Sequence, residues 1–212
     1  MLLIGMFDSP FVRRVAVTLK VLEIPFEHGN WSVGRDFERI REFNPLGRVP
    51  TLVLPNGEKL FESAAILDYL DEFVGADRAL LPARGPDRRA ALHLMAMATG
   101  AAEKGVMQVY EGVFRPEAKR HQPWLDRLRL QMNASLAAID RYTGERGVAQ
   151  WLVGKRMTQA DITAVCAFTF LNDTLRVAAD AVMFQSLSTL AARCESMPAF
   201  QETRVPFFVP GS

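Results

Sequence analysis

Apolar positions over the first 75 residues alternate between short continuous runs and stretches spaced as one face of a helix. Residues 2–5 read as a short buried strand. Residues 11–22 carry Val12, Val15, Ala16, Leu19 and Leu22 at helical spacing, with Arg13, Arg14 and Lys20 outside. Pro25 ends that helix, and 26–30 follow as a second strand. Residues 34–43 place Phe37 and Ile40 on one side of a short polar helix. Two strand-like runs, 51–54 and 58–61, flank Pro55-Asn56-Gly57, and Asn-Gly predicts a two-residue hairpin turn. Helical spacing returns over 63–74 with Ala65, Ile66, Tyr69, Leu70 and Phe73. The order βαβαββα predicts a small sheet with helices on its faces.

Two prolines and two glycines over 75–86 mark a linker, after which the strand pattern stops. Long alanine- and leucine-rich helices are predicted over 90–114 and 124–142, with Pro116 and Pro123 bracketing the break. Two more fall over 158–177 and 186–195, before a proline-containing tail. The fold class is therefore α/β plus all-α, divided at 1–76, a linker 77–86, and 87–212.

Composition narrows the class of partner. Hydrophobic residues make up 49% and charged residues 23% of 212, an ordinary globular balance. The net charge of +1 gives no reason to expect nucleic acid or an anionic membrane. No apolar run reaches the roughly 18 residues of a membrane span. Asp8 interrupts the apolar start, and no basic segment precedes it, so no secretory signal is expected. Cys166 and Cys194 lie inside predicted helices, far apart and outside any CxxC spacing. They read as buried free thiols in a reducing cytosol, with no metal site.

Candidate chemistry begins at Asp8-Ser9-Pro10-Phe11-Val12-Arg13-Arg14-Val15, where a strand gives way to a helix. Proline is tolerated in a first helical turn, so the helix starts near Pro10 or Phe11. Ser9 then stands at the positive end of the helix, where an anion is stabilised. Serine is also a strong N-cap, which needs no ligand. In Asn44-Pro45-Leu46-Gly47-Arg48-Val49-Pro50-Thr51, a cis Val-Pro bond would leave the Val49 backbone free to pair with an extended peptide-like ligand; trans is the usual state. In Phe61-Glu62-Ser63-Ala64, Ser63 reads either as an N-cap or, with Glu62, as a holder of a zwitterion. Thr158-Gln159-Ala160-Asp161 is a capping-box variant and is structural.

The order and spacing of these segments resemble the glutathione S-transferase family across nearly the whole chain. SPFVRRV is similar to the serine motif of its bacterial, plant and zeta-like members, and NPLGRVPTL to its cis-proline loop. FES is similar to its γ-glutamyl site, and LVGKRMTQADI to the capping motif of its helical domain. The resemblance implies a thioredoxin-like N-terminal domain binding glutathione and a helical C-terminal domain shaping an electrophile pocket. It implies that Ser9 donates its hydroxyl to the glutathione sulfur, that Val49 pairs with the cysteinyl unit beside a cis Pro50, and that Glu62 and Ser63 hold the γ-glutamyl end. Arg48 is the candidate for the glycine carboxylate. Arg14 resembles a family arginine near the site and reads equally as a structural ion-pair partner. Phe11, Met107, Tyr110 and Phe114, with Phe207 and Phe208 of the tail, are candidates for the electrophile pocket; Phe168 and Phe170 are assigned to the core.

The implied activity is glutathione conjugation to small hydrophobic electrophiles in a cytoplasmic, detoxifying homodimer, with glutathione as co-substrate and no other cofactor. Isomerisation of the zeta type is the enzyme alternative, although Asp8-Ser9-Pro10 departs from the Ser-Ser-Cys common there. A non-catalytic binding or regulatory protein is the other; the intact set Ser9, Val49-Pro50 and Glu62-Ser63 speaks against it.

Overall fold

The structure is a computed structural model that describes residues 1–179 and 182–207. Its first part runs β1 (Leu2–Ile4), α1 (Pro10–Val21), β2 (Glu27–Gly29), α2 (Phe37–Arg41), β3 (Thr51–Val53), β4 (Lys59–Phe61) and α3 (Ser63–Val74). The sheet order is β2-β1-β3-β4, with β1 parallel to β2 and antiparallel pairing elsewhere. This is the thioredoxin-like arrangement. The hairpin differs from the expected two-residue turn. Leu54 N–H donates to Glu58 O at 2.8 Å, which leaves Pro55, Asn56 and Gly57 as a three-residue loop. The positive φ falls on Gly57 (+87°) and not on Asn56, as in a loop closed by a glycine bulge.

The second part is all helical: α4 (Gly85–Phe114), a 3₁₀ turn (Glu117–Lys119), α5 (Gln122–Arg146), α6 (Gln159–Leu175), α7 (Gln185–Glu195) and α8 (Pro198–Gln201). Helix α4 begins five residues before the predicted start because Pro86 sits in its first turn, where no intrahelical bond is lost. Among the described residues no helix is long and apolar enough to cross a membrane.

The centre of the molecule is α6, whose residues from Gln159 to Leu171 are all buried. Thr158 N–H and Oγ each donate to Asp161 Oδ2 at 2.8 Å, and Leu152 N–H donates to Asp161 Oδ1 at 2.8 Å. The expected capping box is therefore in place. Helix α1 lies between α3 and α6 and is buried on nearly every side. This corrects the placement of Arg13 and Arg14 on the outside of α1: they are 4% and 2% exposed. Their face meets the helical part, so each needs a partner there. Arg13 makes two bonds to Glu195 (2.7 and 2.6 Å) and one to Phe200 O.

The linker is tied down on both sides. Asp71 accepts from the amides of Leu80 and Leu81, and Gln159 N–H donates to Leu80 O. Cys166 and Cys194 are unpaired and buried, and burial pushes both thiols up to about 12.

Candidate active site

Ser9 is the N-cap of α1, with Pro10 in the first helical turn. Its Oγ accepts from Val12 N–H at 3.5 Å, which leaves the hydroxyl proton available to a ligand. Its position depends on Gly5, the residue after β1. A Cβ at Gly5 would lie 2.5 Å from Val12 Cγ2 and 2.8 Å from Val49 Cβ. The absence of a side chain at Gly5 thus lets the start of α1 and the Val49-Pro50 loop converge.

The Val49-Pro50 bond is cis. Neither the amide nor the carbonyl of Val49 has a hydrogen-bond partner among the described residues. The loop is braced from behind, since Asn44 Nδ2 donates to Arg48 O at 2.9 Å. Glu62 precedes α3 with φ +67°, a left-handed conformation that costs a non-glycine residue about 1–3 kcal/mol. Ser63 is therefore the first residue of α3 rather than its N-cap, buried with an amide that has no intrahelical acceptor. The Glu62 carboxylate lies 3.5 Å from Arg48 Nη1, both side chains being more than half exposed. Such a pair contributes at most about 1 kcal/mol and yields readily to a ligand.

A cavity of about 490 Å³ opens against Ser9. The β1–α1 turn lines it with Met6, Asp8, Ser9, Pro10 and Phe11, and the segment after β2 with Trp31, Ser32, Val33, Gly34 and Phe37. Leu46, Gly47, Arg48 and Val49 form the loop wall. Opposite stand Val106, Val109, Tyr110, Val113 and Phe114 of α4, with Phe170 and Phe207. Burial holds the Tyr110 phenol above its usual range, so at neutral pH it is a donor.

Of the candidates read from sequence, Ser9, Phe11, Arg48, Val49, Tyr110, Phe114 and Phe207 line this cavity. Pro50, Glu62 and Ser63 stand outside its lining, on the side where Glu62 meets Arg48. Met107 does not line it and is 39% exposed. The inner face of α4 centres between Val109 and Tyr110, which turns position 107 outward. Phe170, assigned to the core, is buried and also reaches the cavity, whereas Phe168 packs against Phe184 in the core. Phe208 lies outside the described residues. Arg14 is absent from the lining too. It reaches Thr163 Oγ1 at 3.5 Å and has no carboxylate within ion-pair distance among the described residues. Burial lowers it to about 10, and the nearby Glu62 carboxylate works against that, so it remains a buried cation at neutral pH.

Trp31 was not among the sequence candidates. It follows a strand in a loop without periodicity, and its ring carries the Arg39 guanidinium at 3.8 Å. Val106, Val109 and Val113 were legible as an apolar stripe only once the helix face was known.

Residues 3–77 match the family described as glutathione S-transferase, N-terminal domain, and residues 103–198 match glutathione S-transferase, C-terminal domain. The chain is 33% identical over 172 residues to the uncharacterized GST-like protein YibF of Escherichia coli K12, covering 81% of this chain and 82% of that protein. It is 26% identical over 216 residues to a probable maleylacetoacetate isomerase of Vibrio cholerae, covering 95% and 94%. Among solved structures, it is similar to a glutathione S-transferase of Methylobacterium radiotolerans in complex with glutathione sulfonate. The TM-score there is 0.90 at 31% identity, over 98% of this chain and 95% of that one.

Proposed function

This chain belongs to the glutathione S-transferase family, and from that premise we propose that it binds glutathione and adds its thiolate to small hydrophobic electrophiles. The observation that carries this reading is the Ser9 hydroxyl, set at the N-terminus of α1 and facing an apolar cavity. The similar Methylobacterium transferase holds glutathione sulfonate, which supports the choice of ligand. Val49 offers its unpaired backbone to the cysteinyl unit. Glu62 and the Ser63 amide take the γ-glutamyl ammonium and carboxylate, and Arg48 takes the glycine carboxylate.

A free thiol with a pKa of about 8.5 is only a few per cent ionised at neutral pH. One hydroxyl bond and a helix N-terminus together lower that value by about one to two units, each worth about 1.4 kcal/mol. The proton leaves to solvent. The thiolate sulfur then forms a bond to the electrophilic carbon, and the displaced electron pair departs with a leaving group or moves into a conjugated acceptor. Ser9 stabilises the nucleophile and is not itself the nucleophile. Homodimerisation and a cytoplasmic, detoxifying role belong to the same proposal.

A second reading, glutathione-dependent isomerisation, is favoured by the near-complete coverage of the Vibrio cholerae relative. Asp8-Ser9-Pro10, in place of the Ser-Ser-Cys common in zeta-type isomerases, weighs against it.

The deciding experiment is a thiolate difference spectrum, titrating glutathione into wild type and Ser9→Ala between pH 5 and 9. A thiolate band at least one unit below the free thiol pKa, lost in the variant with a drop of about 10- to 100-fold in kcat/KM, is expected. Binding without ionisation in either protein would make the chain a binding module.

A further inference from the structure

Phe207 stands in the wall between two spaces. On one side is the cavity that holds Ser9. On the other is an open, mostly apolar groove of about 750 Å³ between α4, the end of α6 and the tail. The two spaces share Val109, Val113 and Phe207. The valines are short side chains fixed on a helix. Phe207 is the large one, and it belongs to a stretch outside any helix or strand. Its ring rests edge-on against Phe170, with centroids 5.9 Å apart and planes at 74°.

The tail is pinned three residues earlier. Arg204 binds both oxygens of Asp173, one at 2.9 Å, and lies 4.0 Å from Glu195. Glu195 is itself held by Thr169 Oγ1 at 2.6 Å and by Arg13. Arg13 is four residues after Ser9 on α1. A chain of charges therefore runs from the helix that carries Ser9 to the segment that carries Phe207.

We infer that Phe207 sets the length of electrophile this site accepts, that Arg204 positions it through Asp173 and Glu195, and that the groove beyond receives the distal end of an elongated apolar electrophile. The inference rests on the transferase reading. The cavity must hold the thiol end of glutathione as well as the reacting carbon, and Phe207 stands between it and the groove, so an alkyl chain directed toward the groove meets the Phe207 ring. Straight-chain 2-alkenals are the matching class. The thiolate sulfur bonds to the β-carbon, and the π pair moves toward the carbonyl. The α-carbon then takes a solvent proton, so no oxidant or reductant is required.

The test measures kcat/KM for glutathione addition to hexenal and to dodecenal in wild type, Phe207→Ala, Phe207→Trp and Arg204→Gln. The long-to-short ratio should rise about tenfold or more in Phe207→Ala, fall in Phe207→Trp, and rise in Arg204→Gln. An unmoved ratio in both Phe207 variants overturns the inference, and Phe207→Trp decides it alone if the alanine variant does not fold. A loss of both rates with an unmoved ratio in Arg204→Gln overturns the positioning role. Wild type that conjugates neither aldehyde and shows no thiolate band overturns the transferase reading, and this inference with it. Conjugation of hexenal with an unmoved ratio overturns the inference alone.

Discussion

A methyl group at Gly5 would enter space already held by Val12 and Val49, at a φ of +131° that side chains rarely adopt. Neither neighbour is the free end of a long side chain, so the clash must move the start of α1 or the cis-proline loop. Gly5→Ala should cost about 2–3 kcal/mol in guanidinium denaturation. It should also weaken glutathione binding in calorimetry by separating Ser9 from Val49. A variant with native affinity would show that the two segments are positioned independently. Residues such as Ser9, Arg48 and Val49 were legible because their motifs are local: a strand end, a helix start and a proline within a few positions. Trp31 carried no such mark, and Met107 was misplaced because helical spacing defines a stripe without fixing which edge of it faces the cavity.

The elements themselves were legible from periodicity, and the exceptions share a cause. Helix α1 showed its apolar face in sequence, but nothing local announces that α6, from the far half of the chain, will cover its polar face too. Arg13 and Arg14 therefore read as solvated. Proline likewise read as a breaker at Pro86, where it opens a helix. Helix α6 depends on Asp161 in a way that the sequence did reveal. Asp161→Ala removes the acceptor for two amides and a hydroxyl and should cost about 3 kcal/mol. Burial outweighs those three donors and raises this carboxyl above its usual range. A raised folded-state value means that its contribution is complete below the unfolded value of about 3.9 and declines as pH rises through the folded one. The stability gap between wild type and the non-ionising Asp161→Asn should therefore shrink from pH 4 to pH 7, as read from denaturation midpoints. A gap that widens would mean that the bonds to the carboxylate outweigh its burial.

At the scale of the molecule, the two parts are joined by packing and by charge. Helix α1 packs on α6, and Arg13 crosses to Glu195 and Phe200 O. Removing one partner of a largely buried pair costs about 3–5 kcal/mol when the other is left uncompensated; here Thr169 and Arg204 still hold Glu195. Arg13→Met should lower stability by about 2–4 kcal/mol. In a background with Trp124 and Trp151 replaced by Phe, Trp31 fluorescence and far-ultraviolet dichroism should shift together. Separate midpoints would show that the parts unfold independently. The same sandwich has a consequence during synthesis. The sheet, α1 and α3 are complete once Val74 is made, yet the side of α1 that meets the helical half waits for α6, which begins at Gln159. At about 5–20 residues per second, the nascent chain carries that uncovered face for on the order of ten seconds. Through that interval it is a natural client for chaperones, and slower translation of the stretch between the two helices lengthens the exposure.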